Sequence, residues 1–298
     1  FIDSNGHDIG LTVALQGAGG LTKLGDGTLT LTADNSYVGS TTIRAGELQI
    51  GSGGRSGWIA GNVVNDGTLT FNRSDDIVFN GGIDGTGQVV QRGSGRLELA
   101  NTGNRYSGGT VVEQGILAGN TVSIRGDIRN NGAVEFLDLG PNVFSGDISG
   151  AGSVSIDGIG TLTLTGTNTF IGGLKIGIGK SVSVASDRNL GGAANVVTLD
   201  GGYLRATLSF DTDKSFNLAS AGGIISTDAN AMVSLDGALD GIGGLMKDGA
   251  GTLIVTGVSS YAGATFVDEG RLQIDGGGSI ASSSARARRS RSPRRATP

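Results

Sequence analysis

The chain is written in short alternations. Thr28-Leu29-Thr30-Leu31-Thr32 and Thr161-Leu162-Thr163-Leu164-Thr165 place an apolar side chain at every second position. Successive side chains of a strand point to opposite faces, so a period of two predicts strands with one buried face. No stretch carries the 3.6-residue period of an amphipathic helix. The runs last four to six residues and stop at Gly, Asn or Asp, which favour turns. Between Gly20 and Ile50 this predicts strands over 20–24, 28–33, 41–44 and 47–50. Tight turns fall at Gly25-Asp26-Gly27 and Ala45-Gly46, and a longer corner at 34–39.

That segment recurs. Its fixed points are Gly25, Gly27, Leu29, Tyr37, Gly39, Gly46 and Leu48; the second copy has Gly93, Gly95, Leu97, Tyr106, Gly108, Gly115 and Leu117. The third has Gly158, Gly160, Leu162, Phe170, Gly172 and Gly179, and the fourth Gly249, Gly251, Leu253, Tyr261, Gly263, Gly270 and Leu272. In all four, the Gly two residues after the aromatic is followed seven residues later by another Gly. The third copy departs after Gly179, where Lys180-Ser181-Val182 replaces Gly-x-Leu and puts the register in doubt. The second Gly of each Gly-x-Gly falls at 27, 95, 160 and 251. At about 20 to 25 residues per coil, the intervals predict roughly three, three and four coils. Weaker turn-then-strand motifs fill them, at Asn65-Asp66-Gly67, Asn130-Asn131-Gly132 and Asp200-Gly201-Gly202. Short strands with tight corners, repeated, predict an all-β parallel β-helix whose coils pair backbone to backbone about 4.8 Å apart.

Composition supports strands throughout. Gly makes up 57 of 298 residues without a Gly-x-y period, and of three prolines only Pro141 precedes residue 284. Cysteine is absent, which suits a chain exported through an oxidising compartment. The formal charge of -5 conceals two regions: the last fourteen residues hold six arginines and no acid, so the body carries 16 basic against 27 acidic residues. An acidic body gives no reason to expect nucleic acid or an anionic membrane as partner. No apolar run approaches the roughly 20 residues of a spanning helix. The chain starts at Phe1 without a signal peptide, and is expected to be a piece of something longer. The expected organisation is a frayed segment or cap over 1–10, repeats over 11–281, and a disordered, non-native Arg-rich tail over 282–298.

The residues quoted above resemble the β-strand repeat associated with autotransporter passenger domains, over about residues 11 to 276, and the fourth copy is closest. The resemblance implies a secreted, right-handed parallel β-helix (solenoid), carried outside a Gram-negative cell by a C-terminal translocator barrel that this chain lacks. It further implies a monomeric structural stalk or adhesin that folds vectorially coil by coil, without catalysis or cofactor, and with a host-cell or cell-surface receptor as partner. The alternatives are a β-helix polysaccharide-active enzyme, with charged side chains converging on one face, and a phage or fibre-type structural β-helix with an outer apolar stripe.

Candidate chemistry is sparse. Arg125-Gly126-Asp127 is a tripeptide that some passenger domains resembling this one carry for integrins, and Gly126 equally suits a structural corner. Gly179-Lys180-Ser181 has the end of a phosphate-binding loop, but Leu174 stands where that loop needs Gly. His7 is the sole histidine and no Gly-x-Ser-x-Gly elbow exists, so a Ser-His-Asp nucleophile has little to draw on. Asp75 with Asp76, Asp211 with Asp213, and Asp236 with Asp240 are the candidate carboxylate pairs, and each also reads as a solvated turn. Tyr37, Tyr106, Phe170 and Tyr261 hold equivalent corners and are expected to pack. Asn35, Asn104 and Asn168, with Ser259 in the fourth copy, are expected to bond to their own turns. Trp58 is unrepeated and expected to pack or cap. A ligand is expected where the repeat breaks, at 51–58, 125–127 and 211–230.

Overall fold

The computed structural model describes residues 1–276, 279–280 and the backbone of 285–287. Among these residues the chain is built from parallel strands, with a single 3-10 turn at Asp187–Leu190. It divides into two compact units, Phe1–Lys175 with Arg188–Asn195, and Ile176–Asp187 with Val196–Pro298.

The first unit is a parallel β-solenoid with three sides. One side stacks Ile2–Asp3, Leu21–Leu24, Thr41–Ile43, Val63–Asn65 and Ile83–Asp84 in that order. The next stacks Ile9–Leu11, Thr28–Leu31, Glu47–Ile50, Thr68–Phe71, Gln88–Gln91, Thr110–Val112, Ile128–Asn130 and Ile148–Ser149. The third stacks Ile77–Phe79, Arg96–Leu99, Ile116–Gly119, Ala133–Phe136 and Ser153–Ile156. Alternation decides which side chains enter the core: Leu29 and Leu31 point in while Thr28 and Thr30 stay at the surface. Register then turns alternation into columns, of which Leu29, Leu48, Leu69 and Val89 form one and Leu97, Leu117, Val134 and Val154 another, every member buried. Phe71 with Phe79 and Phe136 with Phe144 fill corners as tilted pairs with centroids 5.3 and 5.1 Å apart.

The second unit has the same construction. Ser181–Val184, Gly202–Ala206, Gly223–Thr227, Leu245–Asp248, Thr265–Val267 and Ala285–Ala287 form one parallel stack. Val196–Leu199, Ser215–Leu218 and Leu239–Gly241 form a second, and Phe210–Thr212, Met232–Leu235, Thr252–Val255 and Arg271–Ile274 a third. Ser181 stands opposite Tyr203 in an unbroken ladder, so Ser181 and Val182 keep strand geometry despite leaving the repeat pattern.

Each strong copy is a self-paired object. In the first, Leu21–Leu24 pairs with Thr41–Ile43 and Thr28–Leu31 with Glu47–Ile50, so one copy makes a full turn and then lays two strands on its own first two. The second and fourth copies repeat both pairings. The copies are not stacked a whole number of coils apart, as the sequence spacing suggested. Leu21, Thr41, Val63 and Ile83 form one column, so successive turns take 20, 22 and 20 residues. An interval of 68 residues therefore overshoots three turns by one side. The second copy starts with Gln88–Gln91 on the column of the first copy's second strand, and the third starts with Ser153–Ile156 on the column of the second copy's second strand.

Residues 1–10, expected to fray or cap, supply the strands Ile2–Asp3 and most of Ile9–Leu11, paired to Lys23–Leu24 and Leu29–Leu31. Of the Arg-rich tail only Ala285–Ala287 is described, as a strand parallel to Thr265–Val267; the rest of 282–298 lies outside the described residues.

Candidate functional site

The glycine framework of each copy follows from two crowded corners. A Cβ added at Gly39 would lie 2.5 Å from the backbone nitrogen of Gly20, one turn below, and one at Gly108 would lie 2.5 Å from the carbonyl carbon of Gly87. Seven residues on, Gly46 adopts φ 66° and Gly115 φ 67°, the left-handed region, and a Cβ at Gly46 would lie 2.5 Å from the Gly27 carbonyl oxygen. The interval of seven is one strand plus the distance between these corners.

Polar groups inside the copies are satisfied in matched sets. Tyr37 Oη meets Thr41 Oγ1 at 2.6 Å and Tyr106 Oη meets Thr110 Oγ1 at 2.9 Å, both buried, and Tyr261 pairs likewise with Thr265. The third copy has Phe170 and Leu174 in these places, both fully buried. Burial raises the three phenols above their usual range, with the threonine hydroxyls pulling the other way. The asparagines do not serve chiefly their own turns, as sequence suggested, because the nearest unpaired backbone groups belong to the turns above and below. Asn104 Oδ1 accepts from Ile83 N at 2.9 Å and its Nδ2 donates to Ser123 O at 2.9 Å; Asn168 does the same with Ile148 N and Asn189 O. Asn35 accepts from Leu15 N and donates to Trp58 O, adding one local bond to Ala33 O. In the fourth copy Ser259 Oγ is buried without a partner among the described residues.

Two lysines lie wholly inside, at equivalent positions of the first and fourth copies. Lys23 Nζ donates to Gly25 O at 2.6 Å, Leu24 O at 2.9 Å, Ser4 Oγ at 3.0 Å and Ala45 O at 3.3 Å, tying the Gly-x-Gly corner to the turn above. Lys247 Nζ donates to Asp248 O and Gly249 O at 2.6 Å and to Glu269 O at 3.2 Å. Desolvation pushes both amines below the usual lysine range, against the pull of Asp3 and Asp26 on one and Asp248 and Glu269 on the other. The second copy puts Gln91 here, donating to Gly93 O and Gly95 O at 2.9 Å. Sequence reasoning missed these residues, although Lys23 follows Leu21 by two and so shares its inward face.

The carboxylate pairs are drawn apart by other partners. Arg73 holds Asp75 at 2.7 Å and keeps its carboxyl below the usual range, while Asp76 Oδ1 accepts from Arg96 N. Asp211 and Asp213 point outward on either side of buried Thr212. Asp236 Oδ1 takes the Ser234 hydroxyl at 2.5 Å and also that of Thr256, and Asp240 takes the Ser260 hydroxyl at 2.7 Å. His7 is exposed, and Gly179-Lys180-Ser181 runs into a strand rather than a helix. No group of three His, Cys, Asp or Glu side chains that could hold a metal ion occurs among the described residues, and none of their helices is long and apolar enough to cross a membrane.

Of the three expected breaks, 211–230 is mostly regular strand. The loop at 51–58 is closed by Gly57 N on Asp34 Oδ1 and by Arg73 Nη1 on Gly57 O at 2.7 Å, and Trp58 packs edge-on to Phe79, centroids 5.9 Å apart. Arg125, Gly126 and Asp127 form an exposed corner, with Gly126 at φ 68°. The core holds its backbone: Arg125 N donates to Tyr106 Oη at 3.0 Å and Thr110 Oγ1 to Arg125 O at 2.9 Å. Asp127 Oδ1 accepts from Asp147 N at 2.9 Å, one turn on.

The passenger-associated-transport-repeat family model matches residues 21–50, 89–118, 157–177 and 245–274. Three of these windows begin within or at the edge of a copy's first strand and end on its fourth, the span over which a copy pairs with itself. The chain is also similar to the adhesin BmaC autotransporter of Brucella suis biovar 1, with 33% identity over 93% of this chain and 10% of that protein. It thus spans about a tenth of the length of the curated relative it matches. No solved structure matches.

Proposed function

Because this chain is part of an autotransporter passenger domain carrying passenger-associated transport repeats, we propose that it serves as an adhesive stalk on the outer surface of a Gram-negative cell, reached through a translocator barrel. It is a monomer without cofactor or catalytic step, and its contact with a cell-surface receptor is the corner Arg125, Gly126 and Asp127. The observation that supports this reading is an exposed tripeptide on a backbone fixed from inside. Arg125, Gly126 and Asp127 are all exposed, Tyr106 Oη and Thr110 Oγ1 hold the Arg125 backbone from the core, and Asp127 gives one oxygen to Asp147 N on the next turn.

Adhesion of integrin-bearing cells to surfaces coated with the chain tests the contact. Asp127→Glu keeps the charge but moves the carboxylate outward, and is expected to lower adhesion about tenfold, the loss of one charge-assisted hydrogen bond. Adhesion equal to that of the unmodified chain would sink the receptor contact. Removal of the passenger by protease added outside intact cells, in the organism that carries it, tests the location.

A further inference from the structure

In the first unit Arg73, Arg92 and Arg96 are matched to carboxylates. Arg73 pairs with Asp75 at 2.7 Å, Arg92 with Glu47 and Glu113 at 2.7 and 2.8 Å, and Arg96 with Glu98 and Glu135 at 2.9 Å each. Arg105, Arg125 and Arg129 are exposed, and none of the ion pairs among the described residues includes them. The three belong to two consecutive turns. Asn104 Nδ2 donates to Ser123 O and Tyr106 Oη accepts from Arg125 N, which sets Arg105 and Arg125 on neighbouring turns of one corner. Arg129 follows on the adjoining side, in register between Val111 and Ser149. Of the acids here, Asp127 commits one oxygen to Asp147 N and Asp147 one to Thr167 N. The other unpaired cations of the unit, Arg44, Arg55, Lys175 and Arg188, lie on other turns.

A groove of about 350 Å³ runs beside this corner, lined by Gln88, Ser107, Thr110, Asp127, Arg129 and Ser149 among others. Its polar lining is hydroxyl, amide, guanidinium and the Asp127 carboxylate, and no aromatic ring borders it. Guanidinium groups recognise carboxylate and sulfate in a planar fork, and hydroxyls and amides suit a polyol. A single-stranded nucleic acid, by contrast, needs rings on which its bases can stack. We propose that this groove and corner bind an acidic polysaccharide, a glycan chain bearing carboxylate or sulfate groups, with Arg105, Arg125 and Arg129 on the anions and Gln88, Ser107 and Ser149 on the hydroxyls. This rests on the reading of the corner as a contact surface and supplies that surface with a ligand class.

The test uses the whole chain and a sulfated heparin oligosaccharide, with neutral dextran and a single-stranded DNA of equal charge as comparisons. Heparin binds, dextran does not, and affinity falls as salt rises. Arg129→Gln weakens binding about tenfold and Arg105→Gln with Arg129→Gln about a hundredfold, each lost guanidinium costing one charge-assisted hydrogen bond. All sites are exposed, so an unchanged urea midpoint verifies that the variants fold. Heparin affinity untouched by the double substitution overturns the proposal, and so does DNA binding as tight as heparin binding. The two readings separate through the double arginine substitution, which leaves Arg125, Gly126 and Asp127 in place and so spares integrin-dependent adhesion while it removes heparin binding. If cell adhesion ignores Asp127→Glu while the arginine variants lose heparin, the glycan site stands and the receptor contact falls; the reverse pattern removes the glycan site alone.

Discussion

The first copy of the repeat and the third as far as Leu174 lie in the same unit and solve the same corner with opposite chemistry. The first buries Lys23, Tyr37 and Thr41, each hydrogen-bonded, and the third buries Ile156, Phe170 and Leu174 in the equivalent places. Nothing intermediate occurs: where the phenol is lost the threonine hydroxyl is lost too, because either alone would be a buried polar group without its mate. Gly39 and Gly172, by contrast, occur in both, since the obstacle there is the backbone of the turn below and no change of polarity moves it. Asn35 and Asn168 are also kept, as each bridges three turns through backbone groups that both copies possess. Between these two copies interior polarity is thus exchanged as a set, while the corner glycine and the bridging asparagine are kept.

The sharpest way to break this comparison is to give the corner a side chain. Gly39→Ala and Gly172→Ala should each cost about 3 kcal/mol, the upper range for forcing extra volume into a packed site. The cost should be alike in the two copies, because the crowding is backbone in both. Gly54, where an added Cβ meets nothing within 4 Å, is the control, and Gly54→Ala should change the urea midpoint little. Unequal costs at Gly39 and Gly172 would show that interior chemistry reaches the corner after all.

Removing the buried amine comes next. Lys23→Met keeps the length of the side chain but leaves the carbonyls of Leu24, Gly25 and Ala45 without their donor, and should cost about 2 kcal/mol. The amine also leaves a pH signature. Lys23 is held below 10.5 in the folded chain, so just under 10.5 the unfolded chain binds the proton more strongly and stability rises with pH. The Met variant lacks that gain. The gap between the two chains, measured by urea unfolding at stepped pH, should therefore widen as pH climbs toward 10.5, and a gap that narrows would contradict the assignment. Tyrosine ionisation affects both chains and cancels in the difference.

Much of this was legible in the residues themselves. Alternation such as Thr28-Leu29-Thr30-Leu31 located strands and their inner faces, and the interval from Gly39 to Gly46 announced the repeat. Whatever depends on the length of a turn was not legible. Gly27 and Gly95 look like equivalent stations three coils apart, but turns of 20 and 22 residues leave one side over, so successive copies face different directions. The partner of Asn104 lies on Ser123, a turn away, and a local reading had no means of finding it. Lys23 was legible by parity, although lysine is seldom buried. At the candidate site the tripeptide at Arg125 could be read directly. Arg105 and Arg129 could not, since their lack of an ion pair is visible only once register shows which arginines have one.

The finest test concerns the hydroxyl pair. Tyr37→Phe alone strands Thr41 Oγ1 inside the core, where its recorded partner is the phenol at 2.6 Å, and should cost about 1 kcal/mol. Thr41→Leu alone strands the phenol and adds bulk, at a similar or greater cost. Together the two substitutions recreate the pair that the third copy already uses, Phe170 with Leu174. The double variant should lose less than the sum of the single losses, by an interaction of about 1 kcal/mol in a double-mutant cycle. The phenol's raised pKa supplies an independent reading of the same pair. Because folding holds the Tyr37 proton past pH 10, where the unfolded chain releases it, the wild-type chain loses stability as pH rises through that range. Stability of the double variant should fall less steeply there. Additive losses with an unchanged alkaline slope would mean that Phe170 and Leu174 are separate accidents rather than one exchanged set.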